Sequence, residues 1–462
     1  MRDLTTGSIH KNFLRFSIPI ILSSILSTAF GLIDTSIAGL FLGAKGLAAL
    51  GATVSFFTLG ESIFYGLTYG VSIAIAKMFG AQKYSRLKSV FYSNALLTIG
   101  LSSLLAIIFI PLWRPVFSFL NVESVIEVDA RNYYFCLCLH MLPSTVNFYC
   151  TSCSNSIGET TYPLYLSIIG SLLNVGGNLL AVTVLDLGVL GLGLATLLSS
   201  YVVMLLHLLR FRTYFKKMGI QNERYRFRAE HITSVLSYSL PNIFQQSSMY
   251  VAGLLMSPIR NALGYTAIAA MSIVSRIQLV HSTIYYASAR TAGNYASQCI
   301  GAKKYHKIRP AIGVAMLQAC MFFVPLLIAM WLFPHAVCSI FIDESAEPGV
   351  VSAVLLYIKR FLPFILFNMI CAVFHSIFRG VKSNHHLIIS SMLSAIVNLI
   401  ASFLLAPMYG ITGLYISSAM SWITECLYIL AVYCTGIWVP KEIRKKVLRS
   451  PKKEAQAAVI SS

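Results

Sequence analysis

From Phe13 to Leu42 the chain runs as one apolar stretch interrupted by only two charges, Arg15 near its start and Asp34 well inside it. About 20 apolar residues in a helix cross the roughly 30 Å of a bilayer's hydrocarbon, so the stretch reads as a membrane span. An ionised carboxylate at the centre of such a helix costs about 2.5–3.5 kcal/mol on insertion scales, and is usually turned towards protein and used. Low dielectric disfavours the charged form of a carboxyl, which suits Asp34 to binding and releasing a proton.

Windows of the same kind recur along the whole chain, at 13–42, 48–78, 88–112, 129–153, 161–185, 189–211, 232–258, 266–298, 308–334, 350–378, 385–406 and 411–436. With 57% hydrophobic and 11% charged residues the chain is unlike a soluble globule, in which about a quarter of residues are charged. The expected fold is an all-α integral membrane protein of twelve transmembrane helices. The residues before Phe13 lack a small-residue cleavage site, so the first span is expected to be retained rather than removed as a signal peptide.

The two halves repeat. Phe16-Ser17-Ile18-Pro19 returns as Tyr238-Ser239-Leu240-Pro241, Phe79-Gly80-Ala81-Gln82-Lys83-Tyr84 as Ile300-Gly301-Ala302-Lys303-Lys304-Tyr305, and Gly188-Val189-Leu190-Gly191-Leu192 as Gly410-Ile411-Thr412-Gly413-Leu414. Subtracting positions gives 222 for Pro19 and Pro241, 221 for Ala81 and Ala302, and 222 for Gly188 and Gly410. A register held across so many loops predicts two six-helix bundles related by a pseudo-two-fold axis along the membrane normal. The expected organisation is an N-terminal bundle over 1–211, a basic linker over 212–231, a C-terminal bundle over 232–438 and a basic tail over 439–462.

Most of the 35 Lys and Arg residues sit at the termini, in the linker and in the loops near 77–88, 303–309 and 379–382, whereas the opposite loops hold only Lys45, Arg114, Arg131, Arg260, Lys359 and Arg360. By the positive-inside rule both termini are cytoplasmic in a multi-pass protein of the cell membrane. Acidic residues gather on the other side, at Glu123, Glu127 and Asp129 and at Asp343, Glu344 and Glu347. This distribution accounts for the net charge of +19 without nucleic acid. The tail, with Lys441, Arg444, Lys445, Lys446, Arg449, Lys452 and Lys453, reads either as a short helix on anionic lipid or as a topology signal. The ten cysteines lie mostly in apolar stretches and lack zinc-ligand spacing, so they read as buried thiols.

Further polar residues fall inside predicted spans. Asn174 and Asn178 share one face at i and i+4, with Gly176 and Gly177 between them admitting a close neighbour; they read as interhelical glue or as part of a site. Glu61 and Glu425 are each a substrate-contacting charge or a local hydrogen-bonding partner. His140, His281 and His375 read as packing residues or proton relays, and Arg276 and Arg290 need partners or substrate charge. Pro19 removes a backbone donor and is expected to break the inner half of the first helix, as static geometry or as a hinge.

Taken together, Leu4-Thr5-Thr6-Gly7-Ser8-Ile9 before the first span, Ile33-Asp34-Thr35 towards its far end, and Gly-Ala-Gln/Lys-Lys-Tyr in matching loops resemble the multidrug and toxic compound extrusion (MATE) family. The DinF-like branch is the more similar, since it uses an acid in the first helix, whereas the NorM-like branch has acids in the seventh and tenth, which are absent here. The repeat places Met256 opposite Asp34, so cation coupling is expected in the N-terminal half. The resemblance implies a cation-coupling site of Asp34, Asn174, Asn178 and Thr196. Asn178 stands where the branch usually has Asp, which leaves one carboxylate for a hard cation and tilts the expectation towards H+ over Na+.

The resemblance further implies a secondary antiporter, not an enzyme, that exports hydrophobic or cationic small molecules by alternating access in exchange for H+ or Na+. Its cavity is expected to be lined by aromatic residues and methionines, with Glu61, Arg276 and His281 as candidate substrate contacts. No cofactor other than the coupling ion is expected, and the partners expected are small-molecule substrates and membrane lipid, with the chain a monomer. A lipid-linked oligosaccharide or lipid flippase of the same superfamily is the alternative, kept open by Arg276 and Arg290. A membrane-embedded enzyme would need paired acids, a metal-spaced His/Cys group or a phosphate-cradling glycine loop at one membrane face, and the sequence offers none.

Overall fold

The computed structural model describes residues 1–120, 122–342 and 347–448. Asp343 and Glu344 of the second acidic group, and Arg449, Lys452 and Lys453 of the tail, lie outside the described residues. The first helical stretch, Ile9–Gly80, is two helices merged across Gly43, whose φ of 67° and ψ of −164° only glycine adopts without strain. We label them α1 (Ile9–Gly43) and α2 (44–80). There follow α3 (Tyr84–Phe109), α4 (Glu127–Ser156), α5 (Thr161–Thr183), α6 (Gly188–Lys217), α7 (Ala229–Ala262) and α8 (Tyr265–Gly301). The chain continues with α9 (Ile308–Leu332), α10 (Pro348–Gly380, with a π turn at Tyr357–Phe361), α11 (Asn384–Tyr409), α12 (Ile411–Thr435) and a short amphipathic α13 (Lys441–Leu448).

Ten of the first twelve are long and apolar enough to cross a bilayer. The remaining two, α4 and α7, have 30 and 34 residues, about 45–50 Å of helix, and fall short in apolarity rather than length. Among the described residues there is no strand, and the twelve helices match the twelve expected windows one for one. Pro19 corrects an expectation. It lies inside α1, yet Gly43 is the non-helical residue of the whole stretch, so the helix continues through the proline. A proline is tolerated in a membrane helix where neighbouring helices or Ser and Thr side chains satisfy the freed backbone group.

The internal repeat extends to backbone dihedrals. Positive φ occurs at Gly43 (67°) and Gly264 (82°), at Gln82 (57°) and Lys303 (59°), and at Gly188 (55°) and Gly410 (58°). Each pair is separated by the repeat distance. Both non-glycine residues close a helix in the same way: Lys83 N–H bonds to Met78 C=O and Lys304 N–H to Cys299 C=O, each at 2.9–3.0 Å.

The chain divides into two compact units. The first comprises Met1–Asp3 and Ile18–Ile243, the second Leu4–Ser17 and Phe244–Ser462. In the first, one apolar cluster gathers Phe79, Phe91, Tyr149, Phe211 and Phe215, with Phe91 and Phe211 stacked at 4.4 Å. Another joins Ile37 and Ala38 of α1 to Phe57, Phe64, Tyr134 and Met141. Helix α7 enters this unit over Gly66 and Gly70 of α2, where any side chain would collide with the backbone of Ile243 and Ser239; Ser239 Oγ donates to Leu67 C=O at 3.0 Å. The spacing is a small-xxx-small contact. In the second unit Gly293 of α8 meets the Ser376 carbonyl of α10 as closely, so a methyl group there would sit 2.8 Å from it.

Candidate functional site

Helices α5 and α6 pack through small residues. A methyl group on Gly177 would lie 3.0 Å from Ala195 Cβ, one on Gly170 2.7 Å from Val203 Cγ2, and one on Gly191 2.7 Å from Ala181 Cβ. Gly176 has nothing within 4 Å, so of the two adjacent glycines only Gly177 admits the neighbouring helix. The close approach brings Asn174 within 3.0 Å of Thr196. One turn along α5, Asn178 Nδ2 donates to Asp34 Oδ1 at 2.6 Å, which ties α5 to α1. Asp34, Asn174, Asn178 and Thr196, distant in sequence, therefore form one cluster in the first unit; Asn178 is 1% exposed and Asn174 9%.

The Asn174 amide lies between the Asp34 carboxyl and Thr196. Its Nδ2 donates to Asp34 Oδ1 at 2.6 Å and Oδ2 at 3.0 Å, and its Oδ1 accepts from Thr196 Oγ1 at 3.0 Å. Two amide donors therefore face a group that, when ionised, only accepts. Asn178 Oδ1 has no hydrogen-bond partner among the described residues.

Other expected contacts fall elsewhere. Glu61 on α2 accepts from Ser144 Oγ on α4 at 3.0 Å. His140 Nε2 lies 2.9 Å from Ser200 Oγ. Buried His281 has Nδ1 2.9 Å from its own helix carbonyl Ile277 and its ring against Phe323. Arg276 is exposed. Eight of the ten cysteines are buried; Cys320 is half-buried and Cys434 exposed.

The second unit contains a cavity of about 330 Å³ that sequence reasoning did not assemble. Met256, Met271, Tyr286 and Trp422 line it together with Arg260 and Glu425, but neither Arg276 nor His281 does. At one wall Arg379 Nη2 donates to Gln245 Oε1 at 2.8 Å, so Gln245 Nε2 faces Ser391 Oγ at 3.0 Å and His375 Nδ1 at 3.4 Å. His375 Nδ1 is then the acceptor, and the ring N–H lies at Nε2, 2.8 Å from Ser390 Oγ and 3.6 Å from Glu425 Oε1. The arrangement holds a neutral imidazole beside the acid. The sequence clue was Arg379 itself, four residues after His375 on one helix face and in need of a buried partner.

Fold and site define an all-helical, internally repeated membrane protein with a half-buried carboxyl group held by two buried amides. The sequence pattern of the MatE family matches residues 19–180 and 240–404, and the chain belongs to this family of multidrug efflux transporters. It is similar to the probable multidrug resistance protein YoeA of Bacillus subtilis, with 25% identity over 73% of this chain and 74% of that protein. It is also similar to the multidrug export protein MepA of Staphylococcus aureus, with 20% identity over 88% and 89%. A crystal structure of a mutant of the Vibrio cholerae MATE transporter VcmN shares the fold, with a TM-score of 0.86 at 18% identity over 93% of this chain and 97% of that one.

Proposed function

We propose that the chain is a DinF-like antiporter that exports hydrophobic or cationic small molecules in exchange for a proton bound at Asp34, with both termini in the cytoplasm. The observation that carries the reading is the pair of amides around that carboxyl. A sodium ion prefers several oxygen ligands, as hard cations do, whereas the groups nearest the Asp34 oxygens are N–H donors. A proton needs no such cage. The amide donors of Asn174 and Asn178 stabilise the carboxylate once the proton has left, which suits Asp34 to release as well as binding.

One proton moving inward contributes about 2.3 kcal/mol per 100 mV, and a tenfold gradient about 1.4 kcal/mol more. With one-to-one exchange this supports a gradient of a few hundredfold for a neutral solute, so a single carboxyl is sufficient. Two features favour a bend in α1 as the link to substrate: the compact units divide α1 between Ser17 and Ile18, and Pro19 follows at once. The methionines and aromatic rings around Glu425 offer a substrate surface that adapts to varied apolar cations.

The test is transport into inverted vesicles with proton and sodium gradients imposed separately. Wild type is expected to respond to the proton gradient alone, and Asp34→Asn to neither. Stimulation of wild type by sodium at constant pH would refute the proton assignment, and loss of dye transport with persistent lipid translocation would favour a flippase.

A further inference from the structure

Between α6 and α7 the chain is neither helical nor loose. Lys88, a buried lysine in the second turn of α3, donates through Nζ to the carbonyls of Ile220 at 2.8 Å, Gln221 at 2.9 Å and Glu223 at 2.6 Å. Three residues on, Arg226 N–H bonds to Ser89 Oγ at 3.3 Å. The segment is thus pinned to the start of α3, and its side chains alternate as Arg224-Tyr225-Arg226-Phe227-Arg228. In extended chain this spacing sends arginines and aromatics to opposite sides.

The arginines meet in one place. Arg224, Arg226 and Arg228 line a recess of about 530 Å³ with Arg86 from the first turn of α3, and the carboxylates of Glu223 and Glu230 share it. Glu230 lies 3.5 Å from Arg86. Four guanidinium groups against two carboxylates leave an excess of positive charge. The aromatics take the other side: Tyr225 stacks on Tyr92 at 4.8 Å and is 47% exposed, and Phe227 is 57% exposed.

We propose that this recess binds the phosphate of an anionic glycerophospholipid. Guanidinium groups match phosphate oxygens in pairs, and a segment already pinned in place loses little conformational freedom on binding. Its level fits a lipid rather than a soluble phosphate. Helix α3 has 26 residues, about 39 Å against roughly 30 Å of hydrocarbon, so its first turn stands in the headgroup layer. Exposed aromatic side chains are the usual anchors of that layer.

The test follows thermal unfolding of the full chain in a neutral detergent while phosphatidylglycerol, phosphatidylcholine or inorganic phosphate is added. Wild type is expected to be stabilised by phosphatidylglycerol and by neither of the others. Arg224→Gln/Arg226→Gln/Arg228→Gln is expected to need on the order of a hundredfold more of that lipid. Lys441→Gln/Lys445→Gln/Lys446→Gln in α13 removes equal charge elsewhere and is expected to titrate like wild type. If the first triple variant does not survive detergent, Arg226→Gln alone, whose backbone bond to Ser89 persists, is expected to weaken binding about fivefold. Equal weakening by both triple variants would reduce the effect to general surface charge and overturn the proposal. An equal response to inorganic phosphate, or no response of wild type to phosphatidylglycerol, would overturn it as well.

Discussion

Replacing Asn178 by Asp tests the amide reading most directly. The substitution keeps the side-chain shape and exchanges the N–H donor that lies 2.6 Å from Asp34 Oδ1 for a carboxylate oxygen. Two like charges about 4 Å apart repel by roughly 4 kcal/mol at an effective dielectric of 20. At about 1.4 kcal/mol per decade this is a factor near a thousand in favour of any state that places a cation or an extra proton between them. The variant also provides oxygens on both sides of the gap, where a sodium ion finds ligands that wild type lacks. Uptake of a fluorescent cation into inverted vesicles at fixed pH, with sodium varied, is expected to be flat for wild type and to rise with sodium for Asn178→Asp. A sodium response already present in wild type would refute the donor argument, and so would a variant indifferent to both ions that still pumps at the wild-type rate.

Asp34→Asn is expected to abolish gradient-driven efflux while the protein remains folded, because an amide still bonds to Asn174 and Asn178; dye efflux and size-exclusion profiles check both halves of that statement. Gly177→Val is expected to force α5 from Ala195, break the Asn174–Thr196 bond and lose both yield and transport, whereas Gly176→Ala, with open space around it, should match wild type in both. Lys88→Met removes three carbonyl partners from the segment before α7 and is expected to destabilise the chain by about 2–3 kcal/mol, read as a drop of a few degrees in the midpoint of thermal unfolding in detergent. Gln245→Leu removes the amide shared by Arg379 and His375 and is expected to alter affinity for cationic dyes while proton dependence through Asp34 stays intact; a vesicle pH profile separates the two.

The helices were readable because lipid imposes one rule on every residue of a span, and the repeat because its marks are loops and glycines that no other residue replaces. The boundaries were less so. Helix α6 runs on to Lys217 and α7 starts at Ala229, since amphipathic charged turns continue a helix beyond the apolar window. The grouping of Asp34 with Asn174, Asn178 and Thr196 came from family resemblance, and spacing alone linked only the two asparagines. Gly66 and Gly70 stand four apart in the sequence, but nothing local says that they receive α7. The chain from Arg379 through Gln245 to His375 joins residues 134 apart, a distance no local pattern spans. Pro19 was legible as a missing backbone donor, but not that the helix runs on through it as far as Gly43.

The allocation of the two opening helices has a consequence for the ancestry of the chain. Residues 4–17 count with the second compact unit, and the start of α7, through Ile243, with the first. Each six-helix half therefore lends its leading segment to its counterpart. If such a half once existed as a separate polypeptide, two copies would have had to exchange those segments, as domain-swapped dimers do. A protein cut today within 218–228 should accordingly regain activity when both fragments are made in the same cell, and neither fragment should persist alone.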